Sequence, residues 1–146
     1  MTPRAPLLLA RTVGIAGLAV TIVGTFLPWL GSGSAERNSY AAGGAVRTLM
    51  SPSRPVQDLL GLWPLLGMVA AAAVAALVLG RAVVALGLAL VVAAVAGGGA
   101  LAVLPMKGNR YAHVLSTGPL TTLAGATLIA LAGVISLVLA LARRPT

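Results

Sequence analysis

The sequence predicts an all-α integral membrane protein, a four-helix bundle of four transmembrane helices with a long first outer loop. Three observations carry this. Hydrophobic residues make up 59% of the chain and charged ones only 8%, about a third of what a soluble domain needs to cover its surface. The charges that do occur are spaced by four long uncharged stretches. Prolines fall at the ends of those stretches and not in their middles.

The stretches run from Thr12 to Ala35, Leu59 to Gly80, Ala82 to Met106 and Val114 to Ala142, which is 24, 22, 25 and 29 residues. About 20 apolar residues cross a hydrocarbon layer as a helix. Spans are therefore expected near 10–30, 63–80, 82–104 and 119–141 of one membrane domain. Inside lipid only a helix satisfies its own backbone, and the runs lack the alternation of a barrel strand. Pro28 and Pro105 mark the ends of spans 1 and 3. Pro64 and Pro119 mark the starts of spans 2 and 4, where a missing N–H costs nothing. Thr117 or Gly118 is the expected cap of span 4. The first stretch exceeds the apolar core of a secretory signal, so it reads as a span. Gly80-Arg81 makes spans 2 and 3 a tight hairpin.

Four spans place both termini on one side. That side carries Arg4, Arg11, Arg81, Arg143 and Arg144 in short segments. The other carries Arg37, Arg47, Arg54, Lys107 and Arg110 with Glu36 and Asp58, spread over outer loops 31–58 and 105–118. The denser positive charge puts the termini in the cytoplasm and the chain in the plasma membrane. All five aromatics, Phe26, Trp29, Tyr40, Trp63 and Tyr111, fall at the outer boundary. There Trp29, Tyr40, Trp63 and Tyr111 are expected to anchor the interface, rings among lipid tails and polar atoms wet.

Helices associate in lipid through close backbone approach, which small residues permit. Ala10, Gly14, Gly17, Thr21 and Gly24 form such a stripe on span 1, at spacings 4, 3, 4, 3. Ala126, Ala130, Gly133 and Ser136 offer a second on span 4. Gly97-Gly98-Gly99 in span 3 allows close contact or a local hinge. The stripes serve packing inside the bundle or the docking of a partner.

Chemistry-bearing residues are few. There is no cysteine, one histidine and two acids. No charged residue is expected at membrane depth, where ion-coupled transporters keep theirs. Thr21, Thr25, Thr121, Thr122, Thr127 and Ser136 are the polar side chains of the spans, and helix hydroxyls commonly bond a carbonyl one turn back. His113, Glu36 and Asp58 show no metal-ligand spacing. No catalytic, cofactor-binding or metal residue is assigned. The net charge of +8 is divided between two faces and does not point to nucleic acid. In the long first loop, Ala45–Met50 and the leucines Leu59, Leu60 and Leu62 suit short helices lying on the interface. Arg37, Arg47, Arg54, Lys107 and Arg110 suit lipid headgroups or an acidic partner surface.

Leu27-Pro28-Trp29 closing span 1, then Ser32-Gly33, then Arg37-Asn38-Ser39-Tyr40 resemble the first outer loop of small four-span actinobacterial membrane proteins. Some of these resemble accessory subunits of envelope machines, including Mce-type lipid transporters. The resemblance implies a non-catalytic accessory subunit among other integral membrane proteins, in contact with the lipid bilayer. It assigns no catalytic residue. Two other functions are compatible with the composition. One is a self-assembled channel or transporter for an apolar or lipid substrate, with a cavity lined by Thr21, Thr25, Thr127 and Ser136. The other is an interfacial enzyme using His113 with Glu36 or Asp58.

Overall fold

The computed structural model describes residues 5–49, 54–105 and 113–142. The elements run α1 (Ala5–Phe26), β1 (Pro28–Ser32), β2 (Ala35–Asn38), α2 (Ser39–Leu49), α3 (Arg54–Leu62), α4 (Leu65–Val78), α5 (Ala82–Val103), β3 (His113–Val114) and α6 (Thr117–Leu141). Among the described residues three helices are long and apolar enough to cross a membrane, at Leu8–Phe26, Ala82–Val103 and Thr117–Leu141.

The boundaries correct the expectation in several places. α1 stops at Phe26 instead of continuing to residue 30, because Pro28 enters an extended strand. It also starts earlier, so Arg11 lies on the helix inside its apolar stretch, against the expectation of no charge at that depth. α4 has only 14 residues, a length of about 21 Å that falls short of a hydrocarbon layer of roughly 30 Å. Trp63 and Pro64 belong to the turn before it. α6 begins at Thr117 with Ser116 at the N-cap and no side-chain cap. Thr117 and Gly118 are thus inside the helix, not caps. Pro119 is its third residue, where an N–H has no intrahelical partner to lose. Gly97-Gly98-Gly99 sits within unbroken α5, so no hinge forms there.

α1 and α6 run antiparallel and make the most extensive helix contact. α6 also packs on α5, and α5 on α4, while α1 touches α4 little. The α4–α5 turn is a Schellman motif. Gly80 has φ 74°, its N–H donates to the Leu77 carbonyl, and the Arg81 N–H donates to that of Ala76. Small residues dominate the inner faces. Ala70, Ala73 and Ala76 of α4 are buried with Ala85, Ala89, Ala93 and Ala96 of α5. Leu18, Val92 and Ile129 fill the centre.

The outer-loop segment is not a loop, and the protein is not purely α. β1, β2 and β3 form an antiparallel sheet in the order β2-β1-β3. Gly33, at φ 59°, supplies the left-handed conformation that a two-residue hairpin connection requires. α2 and α3 then occupy much of the segment expected as loop 31–58, overlapping the two stretches read as short interfacial helices.

Candidate functional site: a cap at the hairpin end of the bundle

The end of the bundle that carries the sheet is closed by a hydrogen-bonded cap. It solves a local problem, since the last carbonyls of a helix have no partner within it. At the end of α1, the Trp29 indole Nε1 donates to the Gly24 carbonyl at 2.9 Å, and the Ser39 hydroxyl donates to that of Thr25 at 2.7 Å. Ser39 in turn accepts from Trp63 Nε1 at 3.0 Å. The two indoles meet edge to face, ring centroids 5.9 Å apart. Among the described residues no buried side-chain polar atom lacks a partner.

Glycines make room for the rings. A Cβ on Gly99 would stand 2.5 Å from Trp63, and one on Gly118 would collide with Trp29. Trp29 is the extra residue of a bulge in β1, between the pairs Pro28–Asn38 and Leu30–Arg37. A bulge re-aims its side chain, and here it turns the indole into the core.

The motif at the start of the chain's outer segment therefore has a local structural account. Pro28 leaves α1, Trp29 plugs the bundle, Gly33 turns the hairpin and Asn38 caps α2, its Oδ1 accepting from the Ala41 N–H at 3.0 Å. Ser39 ties the Trp63 indole to α1, and Tyr40 packs on Phe26 at 5.2 Å between centroids.

The anchoring expectation is corrected at Trp29. With 4% of its surface exposed, it is a core residue and not a lipid-interface ring. Trp63 and Tyr40 are half-buried. Tyr111 lies outside the described residues, as do Lys107 and Arg110. Arg37 and Arg54 are exposed at this end, and Arg47 lies on α2.

The span 1 stripe faces α6. A Cβ on Gly17 would stand 2.9 Å from the Gly125 oxygen and Ile129 nitrogen. One on Gly24 would stand 2.5 Å from the Thr122 nitrogen, and one on Gly14 would touch Ala132 at 3.5 Å. Ala10 and Thr21 are buried along the same face. The matching stripe on α6 is Thr122, Gly125, Ile129 and Ala132, which spacing in the sequence does not single out, and Gly118 before it lies against Trp29 of β1. Of the residues expected there, Ala126 approaches Gly97 of α5, and Gly133 faces Leu86 and Leu90 of α5. Ser136 lines a cleft described below, and Ala130 is exposed, outside the packing within the bundle.

No polar cavity of Thr21, Thr25, Thr127 and Ser136 forms. Thr21 and Thr25 are buried and bond the Gly17 and Ile22 carbonyls, while Thr127 is exposed and bonds that of Leu123. His113 and Glu36 flank Gly31 in one row of the sheet, and the imidazole lies over that glycine. Among the described residues no group of three or more metal-ligand side chains gathers. No family model matches the chain, and neither does any curated protein or solved structure.

Proposed function

We propose that the chain is an accessory subunit of a larger inner-membrane complex, acting without catalysis of its own and using the capped end to contact a partner. In this reading α4 completes a fourth crossing beside α5. Both termini lie in the cytoplasm, the sheet faces outward, and the complex serves envelope lipid transport, as the resemblance of the first outer segment implies.

The observation that supports it is the rigid seating of the hairpin. Its exposed tip, Ser34 with Glu36 and Arg37, is held by a sheet whose bulged Trp29 is locked into the bundle. A pre-organised polar surface loses little entropy when a partner docks.

Crosslinking in native membranes followed by purification of a tagged chain tests the proposal. A defined set of integral membrane proteins is expected to accompany the wild type and to be lost from the double variant Glu36→Lys, Arg37→Glu. A chain that runs alone after crosslinking refutes it.

A further inference from the structure

Away from the cap, the bundle is not closed. A partly open cleft of about 390 Å³ lies between α1 and the α4–α5 pair, floored by Leu18, Ala89 and Ile129. It exists because α1 packs on α6 and leaves α4 nearly untouched, and because the facing side chains, Ala73 and Ala85 among them, are too small to fill the gap. Among the described residues that line it, only Arg11 and Ser136 have polar side chains. The size is that of a small-molecule site, roughly 300–1,000 Å³.

We infer that this cleft holds one acyl chain of an anionic phospholipid, with the phosphate at Arg11. Depth is the first argument. From Arg11 inward the lining runs to Leu18 along α1, and from Ala82 to Ala89 along α5, about 10 Å at the helical rise in each case. That takes the upper two thirds of one leaflet's share, about 15 Å, of the hydrocarbon layer. Charge is the second. Arg11 is exposed and lines the cleft, and Arg81 is next in sequence to the lining residue Ala82. Both acids of the chain belong to the sheet end, Glu36 on β2 and Asp58 on α3. A cation beside an apolar slot of that depth is complementary to a lipid anion and the upper part of its tail. The inference rests on the chain lying in a bilayer and is independent of any partner subunit.

The test uses the full chain in nanodiscs of equal palmitoyl-oleoyl phosphatidylglycerol and phosphatidylcholine, with native mass spectrometry of the released protein. One phosphatidylglycerol is expected to remain on the wild type. Arg11→Gln, an exposed position that leaves packing intact, is expected to reduce the preference for phosphatidylglycerol about fivefold, the ratio equivalent to roughly 1 kcal/mol per arginine at a membrane surface. Ala85→Leu, which fills the slot, is expected to lose both lipids, with its melting temperature measured to show that it folds. Equal retention of the two lipids by the wild type, or unchanged retention by both variants, overturns the inference. So does a crosslink from a cysteine placed at Val83 to a second copy of the chain, which would make the cleft an interface between copies.

Discussion

Replacing one glycine at a time with alanine along α1 puts the α1–α6 contact to a graded test. Alanine gains about 1 kcal/mol over glycine from helix propensity alone. Against this stands the space for one methyl group. At Gly14 the new Cβ meets Ala132 at 3.5 Å, an ordinary contact. At Gly17 it meets backbone atoms of Gly125 and Ile129 at 2.9 Å, and at Gly24 it stands 2.5 Å from the Thr122 nitrogen and 2.8 Å from its Cα. Backbone on a packed helix cannot swing aside, so the two helices must separate. Overpacking of this kind costs about 1–3 kcal/mol. The net expectation is a gain of up to about 1 kcal/mol for Gly14→Ala and a loss of up to about 2 kcal/mol for Gly24→Ala. Gly17→Ala falls between them. At roughly 3–4 °C per kcal/mol for a chain of this size, Gly24→Ala melts up to about 6–8 °C lower. Gly87→Ala and Gly98→Ala, where nothing lies within 4 Å, serve as controls that do not fall. Thermal unfolding of the purified chain in one detergent reads the series. Equal melting temperatures for Gly14→Ala and Gly24→Ala would refute the description of this contact.

Ser39→Ala strips the Trp63 indole and the Thr25 carbonyl of their shared partner and is expected to cost about 1–3 kcal/mol, seen in the same melt and as a red shift of tryptophan fluorescence. Gly80→Ala forces a side chain to φ 74° and is expected to cost about 1–2 kcal/mol; an unshifted melt would argue against the Schellman turn. Asn38→Ala removes the α2 cap and is expected to cost about 1 kcal/mol, with faster hydrogen exchange in the first turn of α2 as its local signature.

The helical stretches and most of their limits were legible because charge spacing and proline placement act locally. The α6 stripe was not. Small residues occur all around that helix, so two stripes of similar rhythm exist, and only the partner chooses between them. α1 takes Thr122, Gly125 and Ala132, while Gly118 lies against Trp29 of β1 and Ala126 and Gly133 go to α5. The sheet was hidden for a different reason. Pro28–Asn38 has too few residues to show alternation, and its strand character depends on pairing with His113-Val114, distant in sequence. The misplacement of Trp29 follows from this. A tryptophan beside an apolar run ordinarily marks a lipid interface, and only the bulge turns it inward. Arg11 precedes the uncharged stretch of the sequence and yet lies within the span, because a long cationic side chain near a helix end can reach the surface.

The pairing of α1 with α6 also sets an order for biosynthesis. The glycine face of α1 is made first, yet its partner begins roughly 90 residues later. At about 5–20 residues per second of translation, α1 waits on the order of seconds before α6 emerges. Until then its narrow, notched side is open to whatever other helix the insertion machinery brings near. The architecture is completed only when α6 is synthesised, and a nascent chain truncated before it leaves α1 without its principal neighbour.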